Sequence, residues 1–271
     1  PMSDTPNQYD IQNPLTQYPR PPFPRQPQPA PGLIGEMDPV PDHGEESYRG
    51  LGRMTGRKAL ITGGDSGIGR AVAIAFAREG ADILVSYYSE QEDAEETKIW
   101  VEKAGRRCVL MPGDVKDEAY CEKLVETCIL EFGRLDVLVN NAAHQAVFSS
   151  LEDISAEEID VTFRTNIFSL FYLCKAALRH MQPGATIVNS SSINALEPSP
   201  GLLPYAVTKG AIYNFTAGLA HMLAEKGIRV NGVAPGPVWT PLIPSTMPEE
   251  KVKSFGSSTP IGRAGQPAEL A

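Results

Sequence analysis

Several absences narrow what this 271-residue chain does. No apolar run approaches the roughly 18 residues that a membrane helix needs, so no membrane-embedded role is expected. No Lys/Arg-rich stretch occurs and the formal net charge is −9. A nucleic acid or an anionic membrane surface is therefore not the expected partner. Cysteine is scarce. Cys108, Cys121, Cys128 and Cys174 show neither C-x-x-C nor metal-ligand spacing, and read as buried free thiols in a reducing compartment. No metal site is expected. No basic segment followed by an apolar stretch stands at the N-terminus, so no signal peptide is expected and the assigned location is the cytoplasm.

What is present divides the chain in two. Half of the prolines lie before Asp42, mixed with Gln, Asn and Tyr, and the segment YPRPPFPRQPQPAPG is their centre. Such a composition does not bury enough apolar surface to fold alone. Residues 1–54 are read as an extended proline-rich arm, loose or laid along a neighbouring subunit. Their P-x-x-P spacing also suits a polyproline ligand, although that spacing arises easily by chance.

Residues 55–271 read as one α/β domain. Short apolar runs end in polar or glycine-rich turns and alternate with helical patterns. KALIT, DILVSY, CVLMPGD, LDVLVNNAA, ATIVNSSS and IRVNGVAPG are the expected strands. Helices are expected between them, among them Glu118 to Phe132, a long one from a Ser155–Glu158 capping box to about Met181, and one from about Tyr205 to Gly227. Continuous apolar strands with helical crossovers give a doubly wound, Rossmann-like parallel sheet with helices on both faces.

The first strand runs into ITGGDSGIGRA. Its rhythm, Gly63-x-x-x-Gly67-x-Gly69, is not the dinucleotide fingerprint G-x-G-x-x-G. Bare backbone at the first strand–helix turn suits a pyrophosphate held at a helix N-terminus, and equally suits tight helix–strand packing. Downstream, Tyr205 and Lys209 stand i, i+4 at a helix start and so share a face. A nearby cation favours phenolate over phenol, which suits a tyrosine that exchanges a proton with an alcohol. A surface Tyr–Lys pair is the commoner fate of such spacing.

TGGDSGIG, NNAA (Asn140 to Ala143), YAVTK (Tyr205 to Lys209) and APGPVWT (Ala234 to Thr240) stand in the order of the short-chain dehydrogenase/reductase motifs. From Thr55 onward the chain resembles that family. With its proline-rich arm it looks like a bacterial-type branch of uncharacterised oxidoreductases, similar to glucose/ribitol dehydrogenases and general stress proteins. Ala143 replaces the family's usual glycine. The resemblance also implies a further helix and a last parallel strand beyond Gln266–Ala271, so the sequence reads as truncated at Ala271.

The resemblance implies a catalytic set. Tyr205 is the acid/base, Lys209 tunes it, Ser192 holds the substrate oxygen, and Asn166 joins a water-mediated relay that ends at Lys209. A hydrogen-bonded core amide is the plainer reading of Asn166. Ser190 and Ser191 adjoin Ser192, and strand alternation turns Ser191 to the other face. For the cofactor, the resemblance places Gly63, Asp65, Ser66, Ile68 and Gly69 around pyrophosphate and ribose. Asp114 and Val115 lie toward adenine, Asn141 and Ala142 beside the adenosine ribose, and Tyr205 and Lys209 near the nicotinamide ribose. Pro235, Gly236, Val238 and Thr240 cradle the nicotinamide end. Tyr87 holds the second-strand position where an acid would select NAD. No arginine stands there to hold a 2′-phosphate, and Asp65 would repel one, which leans toward NAD and leaves NADP open.

The expected function is NAD(P)-dependent interconversion of a small-molecule alcohol and a carbonyl. A 3-oxoacyl or aldehyde reductase is the alternative within the family. A dinucleotide-binding sensor or scaffold that docks partners through its arm is the alternative of another class. The helix around Phe163–Leu178 carries more apolar positions than one core-facing stripe needs, which with the resemblance points to a homotetramer.

Overall fold

The computed structural model describes residues 6–271. Six strands form one parallel sheet: β1 Lys58–Thr62, β2 Asp82–Tyr87, β3 Cys108–Pro112, β4 Val137–Asn140, β5 Thr186–Ser190 and β6 Arg229–Val233, in the order β3-β2-β1-β4-β5-β6. The winding reverses between β1 and β4, which pair from Ala59 with Val137 to Ile61 with Val139. A crevice opens at such a reversal beyond the carboxyl ends of the strands.

Strand alternation splits the uniformly apolar runs between two cores. Leu60, Leu84, Leu138, Ile187 and Val230 point to one face, where they meet α3 (Glu118–Phe132), α5 (Ser169–Ala177) and α6 (Leu203–Leu223) through Leu124, Leu173 and Leu219. Ala59, Ile61, Ile83, Val85 and Val139 point to the other, where α1 (Gly67–Arg78) and α2 (Gln91–Lys103) supply Ala73, Ala77, Ala94 and Val101. Burial on both faces explains why β1 and β2 show no polar alternation, whereas the edge strand β6 alternates, with Val230 buried between exposed Arg229 and Asn231.

The expected long helix after Ser155 forms, but its α hydrogen-bond pattern is interrupted by a π turn. It runs as α4 (Ala156–Phe163), a π turn over Arg164–Phe168, and α5. Ser155 caps α4 by accepting from the Glu158 N–H. The reciprocal half of the expected box is lost because the Glu158 carboxylate turns to His144 and Thr162, at 2.9 Å each.

The arm also departs from expectation, for it lies along its own chain. Too polar to form a core alone, it contributes apolar anchors to a shared one. Phe23 and Met37 are buried with Trp239, Ile243, Val252 and Ala264. The Phe23 and Trp239 ring centroids lie 4.3 Å apart. Trp239 Nε1 donates to the Pro39 carbonyl at 2.7 Å, and the buried Arg263 donates to the Pro14 carbonyl at 2.8 Å. Two short helices, α7 (Leu242–Thr246) and α8 (Glu249–Lys253), complete this C-terminal layer.

Candidate active site

A cavity of about 570 Å³ opens at the winding reversal. Gly63, Asp65, Ser66, Gly67 and Ile68 line it from the β1–α1 turn. Ser66 is the extended N-cap of α1 but makes no side-chain cap bond. The first N–H groups of α1 are thus left for an anion, with the positive end of the helix behind them.

The glycines have separable causes. Gly67 sits at φ +51° beside Thr240, a backbone state that glycine adopts without strain. Gly69 answers to packing: a Cβ there would stand 1.9 Å from the Gly63 carbonyl oxygen. Gly69 therefore supports the turn from beneath and is not among the cavity-lining residues.

Asn141, at the end of β4, ties three elements together. Its N–H donates to Thr62 Oγ1 at 3.0 Å, its Nδ2 to the Thr62 and Gly63 carbonyls at 3.2 Å, and its Oδ1 accepts from Ser190 at 3.1 Å. The same cavity takes in Tyr87, Asp114, Val115, Ala142, Pro235, Gly236, Val238 and Thr240. Of the sequence-assigned cofactor positions only Gly69 lies outside this lining.

Ser192, Tyr205 and Lys209 converge on the cavity. Ser192 caps a short turn after β5, and Tyr205 and Lys209 stand one turn apart near the start of α6. Lys209 is buried, its Nζ 5.2 Å from the centre of the Tyr205 ring and 2.8 Å from the Ser190 carbonyl, to which it donates. Burial lowers the Lys209 ammonium to about 8. Burial pushes the Tyr205 phenol above its usual value, while a hydrogen bond with Ser192 works the other way. Against the expectation that Lys209 lowers the phenol, desolvation dominates both groups and disfavours both charged forms. Ser191 also lines the cavity, but its hydroxyl is engaged there, donating to the Lys209 carbonyl at 2.8 Å.

Asn166 lies in the π turn and is buried. Its amide bonds the His144 N–H and carbonyl and Thr208 Oγ1, at 2.7, 2.9 and 3.0 Å. Among the described residues it makes no hydrogen bond to Lys209.

Asp65 is buried, and desolvation raises its carboxyl to about 7, with Glu90 and Asp93 adding to the effect. The lysines lining the cavity are Lys209 and Lys116, the latter 3.3 Å from the Asp114 carboxylate.

Sequence reasoning missed several lining residues. Gln145 is buried and donates to Thr246 Oγ1 at 2.7 Å, joining the β4 loop to α7. Its place just after NNAA was a usable signal. Ala30 and Pro31 of the arm also line the cavity. No local signal marks them, because their neighbours lie some two hundred positions away.

Among the described residues no group of acidic, histidine or cysteine side chains is arranged to hold a metal ion, and no helix is long and apolar enough to cross a membrane. All four cysteines are free and buried.

A family model described as enoyl-(acyl carrier protein) reductase matches residues 63–271. The chain is 56% identical over 241 residues to the uncharacterized oxidoreductase YhdF of Bacillus subtilis, covering 89% of this chain and 83% of that protein. It is 48% identical over 256 residues to the glucose and ribitol dehydrogenase of Daucus carota, covering 92% and 88%. The structure is similar to that of a short-chain dehydrogenase from Burkholderia cenocepacia in complex with NADP, with a TM-score of 0.74, 34% identity, and coverage of 80% and 88% of the two chains.

Proposed function

The chain belongs to the short-chain dehydrogenases/reductases and is an NAD(P)-dependent oxidoreductase; from that premise we propose that it interconverts a small alcohol and its carbonyl with Tyr205 as acid/base. The observation that carries this reading is the meeting of Ser192, Tyr205 and Lys209 with the Gly63–Ile68 turn in one cavity. A bare binding module has no need of that set.

When bound, a nicotinamide supplies or accepts the hydride at the substrate carbon. In reduction Tyr205 donates its phenolic proton to the carbonyl oxygen; in oxidation the phenolate takes the alcohol proton. Ser192 hydrogen-bonds the substrate oxygen and steadies the charge that develops there. Lys209, buried and lowered to about 8, would hold the nicotinamide ribose of a bound cofactor and, when protonated, stabilises the phenolate. Asn166 acts as a positioning residue through His144 and Thr208, the neighbour of Lys209; the water relay itself would start from this buried π turn.

Asp65 and Glu90 make the adenosine-ribose end acidic, which supports NAD over NADP. The Burkholderia structure holds NADP, so both nucleotides belong in the test. The C-terminal layer from α7 to Phe255 forms a lid over the substrate end, where Leu242, Ile243, Met247 and Phe255 give an apolar wall. That wall suits an aldehyde or an acyl chain, whereas the Daucus relative is named for a sugar and a polyol.

We assign residues 55–271 as the catalytic domain, the cytoplasm as its location, and a homotetramer as its assembly. The deciding experiment is a panel of aldehydes, ketoses, polyols and 3-oxoacyl thioesters, each run with both nucleotides and followed by nicotinamide absorbance. Turnover of one class supports an enzyme. Nucleotide binding without turnover of any class favours the sensor reading.

A further inference from the structure

The arm does more than cover the lid. Between buried Gln28 and buried Gly32, the exposed Pro29, Ala30 and Pro31 form an arch, and Ala30 and Pro31 line the cavity together with the Gly63–Ile68 turn. The arch is closed at its base, where Gln28 Oε1 accepts from the Leu33 N–H at 2.6 Å.

Its two ends rest on opposite elements of the site. On the lid side, the Pro31 carbonyl accepts from Ser245 Oγ at 3.1 Å, and the Gln28 N–H donates to the Pro244 carbonyl at 3.3 Å. A Cβ at Gly32 would stand 2.7 Å from the Pro241 carbonyl oxygen, so arch and α7 are in close contact. On the nucleotide side, the Ile34 N–H donates to Asp93 Oδ2 of α2 at 3.1 Å. A second, smaller cavity there is walled by Gln28 to Leu33 and by Ser89 to Glu92 of the β2–α2 turn. The arch thus bridges the lid and the adenosine-ribose end of one crevice.

We propose that residues 28–33 are a strap across the dinucleotide site, so that a bound pyridine dinucleotide leaves only when the arch lifts. This rests on the dinucleotide reading above. Binding residues normally lie on loops of the domain that holds the ligand; here one wall comes from a segment outside that domain. Anchors on both sides make the strap separable from mere support of the lid. Weakening it changes the rate of nucleotide release more than it changes folding, because the sheet and its cores make no use of the arch.

The test uses the full chain and the release of NADH and NADPH, followed by fluorescence after rapid mixing with excess oxidised nucleotide. Gly32→Val drives a side chain into the Pro241 carbonyl and lifts the arch. Release is expected to quicken about tenfold, as affinity changes usually fall on the off-rate, with the unfolding midpoint little changed. Unchanged release from a folded Gly32→Val protein overturns the strap.

A second measurement needs no variant. Trypsin cleavage after Arg25, whose side chain is exposed beside the arch, is expected to slow severalfold with saturating nucleotide. Cleavage after Arg49, at the other end of the arm, is expected to slow much less. Equal protection at the two sites counts against the strap. A wild-type chain that binds neither nucleotide overturns the dinucleotide reading itself, an outcome distinct from fast release.

Discussion

Asn166 holds the main chain of His144 at two points, accepting from its N–H at 2.7 Å and donating to its carbonyl at 2.9 Å. One buried amide thereby fixes the segment that leaves β4 and lines the site. Asn166→Leu keeps comparable bulk but leaves those buried groups unpaired, at a cost of about 1–3 kcal/mol each. Urea unfolding is expected to show a loss of at least about 2 kcal/mol. Turnover should fall with it, since His144 and Thr208 lose their common partner. A variant as stable as the wild type would show that the clamp carries no weight.

Tyr205→Phe keeps the ring and removes the transferable proton. Turnover is expected to fall by about 10²–10⁴ while nucleotide affinity stays within a few-fold. Ser192→Ala should be severe and Ser191→Ala mild, because the Ser192 hydroxyl is assigned to the substrate oxygen whereas the Ser191 hydroxyl serves the Lys209 carbonyl. Lys209→Met should damage binding and turnover together. Near-normal turnover in Tyr205→Phe on a good substrate would transfer support to the sensor reading.

Asp65 gives a pH signature. Its carboxyl is raised from an ordinary 3.8 to about 7 in the folded protein. A raised acid contributes stability that is present below the unfolded value and lost as pH climbs to the folded one. The ligand-free wild type should therefore weaken between about pH 4 and 7. Asp65→Asn should match it near pH 4 and exceed it above pH 7, by at most about 4 kcal/mol. Above pH 7, where Asp65 is ionised, the same variant should bind NADP better relative to NAD, since the repelling charge is gone. Parallel stability profiles for the two proteins would refute the assignment.

Phe171 and Tyr213 are 54% and 58% exposed on adjoining helices, and the Phe171 ring meets Phe215 edge-on at 4.7 Å. Apolar rings left in water at one place mark a surface for a second copy. Phe171→Glu is expected to reduce a wild-type tetramer to smaller species in light scattering, with the fold retained. A wild type that is monomeric at working concentration would remove the premise.

The alternating architecture follows from the chain's local periodicity, and β1, β2 and α3 fall where the apolar runs and the closing Gly133 put them. Periodicity and turn chemistry are local, so strands and helix ends were legible without the fold. The nucleotide turn and the Ser192, Tyr205 and Lys209 positions were legible for another reason: their spacing is a backbone constraint written into consecutive residues. Three things were decided only in three dimensions. The helix after Ser155 takes a π turn at Asn166 because its amide reaches His144, twenty-two residues earlier. Tyr205 and Lys209 are both driven toward neutrality because desolvation depends on everything packed around them, and no i, i+4 rule contains that quantity. The proline-rich arm, too poor in apolar residues to fold alone, is ordered because Phe23 and Met37 find Trp239 and Ile243 in the C-terminal layer. Burial against such distant partners has no signature in the local sequence, and it is what brings Ala30 and Pro31 to the active site.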